Sequence, residues 1–495
     1  MALRAAALSA LLAAAPGPAL AQMGPHVGPE TYEQVRGAPL GEAERHVWRV
    51  EIASGEDDES ETVEHEAAYG PDWFAWTDGG TDEYTLVDLA ARRKLVWTPD
   101  RESLLNGSLH AAARRNLDIY VALSQGGERD RIDFGEAGVF DRFWLEAAMG
   151  LAPRPAELAF DEALGRLSAA RDGETIFRAF YAAGEDSPCV RDPLSGGQAR
   201  RAFIFLQHAA PVHPDIVERL VSQVVFPCAV SFTVYSPESP DGRTEQWVLA
   251  DAQEDGGPAL PPATPVLPGP ALLNETAGPA ALAAVTGEAG PPPTPDDLAA
   301  RVRALAEAGD FAGAYLAAAR ETAHFGPCPA EADEAARPAC AAAEAMIARA
   351  EGDPAFEQAV DAVAAATSGD PAAAIDALRP HLDRDDLAGA HARALVAEAL
   401  TTWGQEGLET YPDLDPAGLL AEALVIDPYA PDTYARLGRR FLAAGAPEAA
   451  WALFDLGRAL PAREPTPLLA QLGEIEARIE ALAPGFFAPG GEGAR

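Results

Sequence analysis

The sequence predicts a multi-domain chain: an α+β N-terminal domain built on an antiparallel sheet, a Pro-rich linker, and an all-α solenoid at the C-terminus. Three observations predict it. From about Glu44 to Asp251, short apolar runs alternate with polar residues and are separated by Asp-Gly turns, the pattern of half-buried strands. From residue 256 to 294 the texture changes to Pro, Ala and Gly, with Pro261-Pro262, Pro268-Gly269-Pro270 and Pro291-Pro292-Pro293. From residue 295 to 484 apolar residues recur at helical spacing, in short segments punctuated by Gly, Asp and Pro. A chain of 495 residues exceeds what one hydrophobic core holds, and a hydrophobic share of 48% is that of a folded protein.

Taken in order, residues 1–21 read as a secretory signal. Arg4 supplies a basic start, Ala5 to Ala15 an apolar stretch, and Ala19-Leu20-Ala21 a small-residue cleavage site. The stretch is too short, and too soon broken by Pro16-Gly17-Pro18, to span a bilayer. Residues 22–255 then carry the strands. Trp48, Val50 and Ile52 alternate with Arg49 and Glu51; residues 84–88 pair with 94–97 across a turn at Ala90 to Arg93. Val230, Phe232 and Val234 lead through Pro240-Asp241-Gly242 to residues 246–249, and Asp172-Gly173 turns the chain between Leu167 and Ile176. Helices are expected from Ser108 to Leu123, from Val139 to Ala148, and after His213-Pro214, where Ile216, Val217, Leu220 and Val224 share one face. Such strands could form a curved sheet or half-barrel around an apolar cavity.

The segment 256–294 is a semi-rigid spacer, with room for a short helix between Pro279 and Val285. Thr294 is placed to cap a helix beginning at Pro295, and Gly309-Asp310 turns the chain into the next. Gly352-Asp353-Pro354-Ala355 recurs as Gly369-Asp370-Pro371-Ala372, one helix and one turn farther on. Residues 485–495 read as a disordered tail.

Near the end of the chain the periodicity becomes specific. Tyr434, Leu437, Gly438, Phe441, Gly445, Ala450, Phe454 and Pro461 follow Leu400, Trp403, Gly404, Leu420, Ala423 and Pro428 at an offset of about 34 residues. Small residues let paired helices approach, and large ones fill the gap to the next pair. This pattern resembles the tetratricopeptide repeat family, with about four irregular units in the C-terminal half. The resemblance implies a concave groove that binds peptides or partner proteins. Gln405, Arg436, Arg439 and Arg440 stand at or near groove positions, where a guanidinium can hold a carboxylate.

Charge and residue usage exclude several classes. The 77 acidic against 37 basic residues give a formal net charge of -40, which disfavours nucleic acid and anionic lipid surfaces. Lys94 is the only lysine. Four cysteines suit an exported chain, and proximity favours Cys189 with Cys228 and Cys328 with Cys340. Leu194-Ser195-Gly196-Gly197-Gln198 reproduces the signature of ATP-binding cassette ATPases. The companion phosphate loop needs Gly-Lys, which this chain lacks, so the match reads as a Gly-rich turn. His208 and His213 flank Pro211 and would not share a helix face, and no metal site is expected there. The acidic run at residues 56–61 and the Asp413, Asp415, Gly418 imitation of a calcium loop read as solvated loops, with Asp415-Pro416 as a helix start.

Two functional expectations follow. The first is an exported, soluble, non-enzymatic adaptor or scaffold of the cell envelope, periplasmic or secreted, that docks a protein or peptide partner in its helical groove. It needs no cofactor and no metal. The alternative is a small-molecule or lipid carrier, or a hydrolase, built on the N-terminal sheet, with a cavity lined by Trp48, Trp97, Phe232 or Trp247.

Overall fold

The computed structural model describes residues 32, 36, 39–54, 60–98, 103–125, 131–133, 139–151, 155–163, 165–183, 187–223, 225–236, 239–253, 264–266, 278–285, 291–325, 337–460 and 467–487. The signal-like segment, most of the acidic run, most of the Pro-rich segment, Cys328 and the last eight residues lie outside these.

The N-terminal half is one large sheet. Its strands are β1 (Glu44–Ser54), β2 (Ser60–Tyr69), β3 (Trp73–Thr77), β4 (Tyr84–Asp88), β5 (Arg93–Trp97), β6 (Ser103–Ser108), β9 (Ala159–Ala163), β10 (Arg166–Arg171), β11 (Glu174–Phe180), β14 (Ala229–Ser236), β15 (Ser239–Gln253) and β16 (Thr264–Val266). The order across the sheet is β16-β6-β5-β4-β3-β2-β1-β15-β14-β11-β10-β9. Every pairing is antiparallel except β16 with β6. Two short pairs stand apart: β7 (Arg131–Asp133) with β8 (Val139–Asp141), and β12 (Leu194–Ser195) with β13 (Val225–Phe226).

The turns follow the residue chemistry, with one displacement. Asp172 and Gly173 both take positive φ, 52° and 87°, and join β10 to β11 with Arg171 opposite Glu174. This is the two-residue hairpin that Asp-Gly favours. The β14–β15 hairpin turns earlier than Asp241-Gly242 predicts, because Ser236 already faces Ser239. Gly242, at φ 81°, lies within β15 instead, beside a register shift near Val234. A Cβ there would stand 2.9 Å from the Tyr235 ring, so glycine lets the strand bend close to that ring. The expected helix from Val139 likewise begins as strand β8 and becomes helical only at Arg142.

Helices cover one face of the sheet, and part of the opposite face is covered as well, although Arg49 and Glu64 stay exposed there. Helices α1 (Leu109–Gln125), α2 (Arg142–Met149), α3 (Gly196–Ala209) and α4 (Pro214–Val221) pack on one face, over Trp48, Val50, Tyr69, Phe74, Val87, Phe177, Phe232 and Trp247. On the opposite face Tyr32 and Leu40 close over Trp73, Tyr84, Leu86 and Leu95. Strand β4 is therefore buried along its whole length. Asp88 anchors the covering segment: Tyr32 Oη donates to its Oδ2 at 3.0 Å and Arg36 Nε at 2.6 Å, while Arg36 also reaches Asp72 at 2.7 Å.

The rest of the chain is helical: α5 (Gly278–Val285), α6 (Pro295–Glu307), α7 (Phe311–Phe325), α8 (Arg337–Ala350), α9 (Pro354–Ser368), α10 (Pro371–Leu378), a 3-10 turn (Arg379–His381), α11 (Leu387–Trp403), α12 (Gln405–Thr410), α13 (Pro416–Ile426), α14 (Pro431–Ala443), α15 (Pro447–Ala459), α16 (Pro467–Leu482) and α17 (Pro484–Phe487). Two starts read from the sequence, Thr294 and Asp415, are capping residues, whereas α14 and α15 start without a side-chain cap. Thr294 and Asp297 form a reciprocal capping box, and Asp353, Asp370 and Asp415 each accept backbone N–H groups of the turn they open. Gly352 and Gly369, at φ 81° and 93°, supply the left-handed residue before the second and third of these caps.

Many of the helices pack on a sequence neighbour, α6 on α7, α9 on α10, α10 on α11, α11 on α13, α13 on α14, and α14 on α15, whereas α8 packs mainly back on α6 and α5 packs on α13. Gly438 shows why α14 and α15 approach so closely, since a Cβ there would meet the Phe454 ring at 2.6 Å and Ala450 O at 3.0 Å. Gly404, its mate at the repeat offset, does a different job. It ends α11 at φ 70° and ψ −140° with open space around it.

Candidate functional site

The residues expected to line a groove are held differently from one another. Gln405 opens the short helix α12 and donates to Glu409 Oε1 at 3.0 Å within that helix. Arg436 on α14 lies with Nη1 2.5 Å from Glu398 Oε2 on α11, close in distance but poorly aligned as a hydrogen bond. Its charge is therefore already opposed. Arg439 is exposed on the next turn, and Arg440 is half-buried beside it. Asp413, from the calcium-loop imitation, pairs with Arg379, and Asp415 is consumed by its cap.

The densest polar chemistry lies where the helical half meets the sheet. Arg93, on β5, donates from Nη1 to Asp455 Oδ2 on α15 at 2.6 Å and from Nε to Asn106 Oδ1 on β6 at 2.9 Å. Both members of the ion pair are almost fully buried. Arg458, one turn after Asp455, donates to Glu476 Oε2 on α16 at 2.8 Å, and Trp451 Nε1 donates to Oε1 of the same carboxylate at 3.1 Å. Glu480, four residues on, accepts from Arg92 Nε at 2.9 Å and lies 2.9 Å from His110 Nε2 on α1. The hydrogen bond from His110, reinforced by Arg92, holds its carboxyl down at about 2. Phe487 is buried against this cluster, with Arg92 stacked 5.4 Å above its ring. The segment expected to be a tail thus begins with two buried rings, Phe486 and Phe487.

Sequence reasoning missed this junction because its partners are far apart; Arg93 and Asp455 are separated by 362 positions. Two local signals were present. Glu476 and Glu480 stand four apart on one helix face, and an apolar Phe pair interrupts a Gly-rich end.

A second buried group joins α1, α2 and α4. Tyr120 Oη donates to Glu146 Oε1 at 2.8 Å, and His213 Nε2 lies 3.3 Å from Oε2. His213 Nδ1 accepts from Asp215 N, which makes Nε2 the protonated nitrogen, and its ring stacks on Phe143 at 4.4 Å. Every member is spoken for, as in a structural network. His208, on α3, donates from Nε2 to Phe486 O at 3.0 Å. Burial, with the nearby Lys94 ammonium, holds this imidazole down at about 4. Among the described residues no group of His, Cys, Asp and Glu is arranged to hold a metal.

The expected cavity residues do not line a cavity together. Trp48 packs on Phe226, and Trp247 packs on Phe205 and Phe232, filling the space against the helices. Trp97 belongs to the cluster on the opposite face. The Leu194 to Gln198 match is the end of β12 and the start of α3, so Gly196-Gly197 open a helix that the sequence reading took for a turn. Cys189 and Cys228 are joined, with Cα atoms 5.4 Å apart, and Cys340 is disulfide-bonded as well. Among the described residues no helix is long and apolar enough to cross a membrane. Compared with protein-family models and with curated proteins, the chain matches none.

Proposed function

We propose that this chain is a non-enzymatic binding protein of the cell envelope whose tetratricopeptide-like helices dock a protein or peptide partner, with the sheet half as a fixed base. The observation that carries this reading is the junction at Arg93, Asp455, Glu476 and Glu480. It ties the last helices to the sheet through buried charge, so the helices before them are presented in a set orientation. The oxidised cysteines and the signal-like start support an exported protein. Arg439 and Arg440 supply the exposed and half-exposed guanidinium groups that would meet an acidic segment of the partner.

The test is site-specific photocrosslinking in cells, with the probe at Gln405 or Arg439, against a control at Glu162 on β9. The same partner should be captured from both helical positions but not from β9. Charge reversal at Arg439 and Arg440 should abolish that capture. Indistinguishable capture from all three positions would sink the reading.

A further inference from the structure

Two parts of the segment between the halves are seated on the fold: β16 pairs in parallel with β6, and α5 packs on α13. Helix α5 has eight residues, Gly-Pro-Ala-Ala-Leu-Ala-Ala-Val, with no charge and no hydrogen-bonding side chain. A helix shorter than about 12–15 residues does not hold its shape alone in water, so the surface it packs on supplies its stability. Here that surface is α13. Ala281 is fully buried, in the same core as Leu420 and Leu424 of α13 and Leu395 and Leu400 of α11. Gly278, Ala280 and Ala283 are half-buried, and Pro279 is exposed. The seat is rich in leucine, whereas among the described side chains of α5 a single methyl group is fully buried in it.

The elements on either side do not depend on α5. Strand β15 is held along its length by β1 and β14, and α6 opens at its own capping box of Thr294 and Asp297. With no charged or hydrogen-bonding side chain, α5 has no polar side-chain tie to the array. Departure of α5 therefore leaves its neighbours folded and uncovers leucines of α13, the combination of a weakly held cover and an apolar surface beneath it.

We propose that α5 is a built-in stand-in for a partner helix: it occupies, on α13, the seat of an alanine-rich, uncharged helix of the partner and gives way when that helix binds. The chemistry of the present occupant selects its competitor. A seat closed by small side chains packs a helix with alanine on its contacting face, whereas a charged side chain there is buried without a counter-charge. Helix α14, which carries Arg439 and Arg440, packs on α13 as well, so an acidic stretch beside the incoming helix meets those guanidinium groups. Because α5 is tethered, it competes at high effective concentration and sets a threshold that the partner has to exceed. This device presupposes docking by the helices and adds the place of contact and the competitor.

The test uses the full chain. Hydrogen exchange on the unaltered protein should show the amides of α5 opening about tenfold or more faster than those of α13. Equal protection would mean that α5 leaves only when the whole fold does, and would overturn the proposal. Two variants empty the seat: Ala281→Asp drives a carboxylate into it, and Ala283→Pro breaks α5 itself. Both should keep the urea midpoint of the parent; loss of the fold in both would make α5 a structural element and overturn the proposal. A synthetic peptide with the sequence of residues 276–288, carrying a photoreactive leucine in place of Leu282, should label α13 saturably in both variants and not in the unaltered chain. Equal labelling of all three chains, or no labelling of α13 in the variants, would overturn it. In cells, partner capture from a probe at Arg439 should rise several-fold when Ala283→Pro is added. Capture that Ala283→Pro leaves unchanged counts against the stand-in alone, whereas absence of any capture counts against docking by the helices and leaves the peptide labelling to decide on α5.

Discussion

At the scale of single residues, the junction is governed by charges that cannot be removed one at a time. Replacing Asp455 by Asn leaves the Arg93 guanidinium buried without its counter-charge, a change expected to cost about 3–5 kcal/mol in urea-unfolding free energy. Replacing both by apolar residues of similar volume should cost less than the sum of the single changes, which a double-mutant cycle measures. Two titrations should separate along the pH axis. The His208 imidazole takes up a proton near 6.5 when unfolded but only near about 4 when folded, so the fold weakens as pH falls through that interval and is unaffected above it. Glu480 is lowered from 4.5 to about 2, so its contribution is complete above 4.5 and is lost as pH falls toward 2. Stability measured against pH should show both steps; His208→Gln should erase the upper and Glu480→Gln the lower. Two capping residues were legible at this scale because their chemistry is local: Thr294 and Asp415 each act on their own turn. Arg93 was not, since nothing near β5 in the sequence says which distant carboxylate will meet it.

At the scale of elements, small residues and the disulfide set how closely pieces pack. Gly438→Ala gains helix propensity but drives a methyl group into the Phe454 ring, so a net loss of about 1–3 kcal/mol is expected from thermal or urea unfolding. Reducing the Cys189–Cys228 link, or replacing both cysteines by serine, frees a loop spanned by a separation of 39 residues. The chain-entropy argument puts that loss at about 4 kcal/mol, measurable as the shift in denaturant midpoint. Hairpins with both turn residues at positive φ were readable from Asp172-Gly173 alone. Asp241-Gly242 misled because the same dipeptide also serves a bend inside a strand, where the Tyr235 ring demands a missing side chain. Gly404 and Gly438 stand 34 residues apart, yet one ends a helix and the other seats a ring, a distinction periodicity does not carry. Helix α3 escaped notice because its glycine-led start reads as a loop, although its Phe203, Phe205 and Leu206 are core residues.

At the scale of the molecule, one core runs from Trp48 and Phe74 through Phe205 to Trp451, Phe454, Ile479 and Phe487. The Pro-rich segment therefore connects two halves that share buried surface. Residues 22–255 produced alone should expose the sheet side of that surface and self-associate, and adding residues 295–495 should restore a one-to-one complex on size-exclusion chromatography. A composition that shifts from strands to prolines to helices made the succession of the halves legible. Their mutual contact was not, because it is written in residues hundreds of positions apart. The scarcity of lysine also reaches into how the protein can be studied. Amine-directed crosslinkers and labels find one side chain in 495 residues, and that one is set into the sheet. Neighbours of this molecule would escape such reagents almost entirely, whereas carbodiimide chemistry can draw on its 77 carboxylates, less buried ones such as Asp88, Glu146 and Asp455.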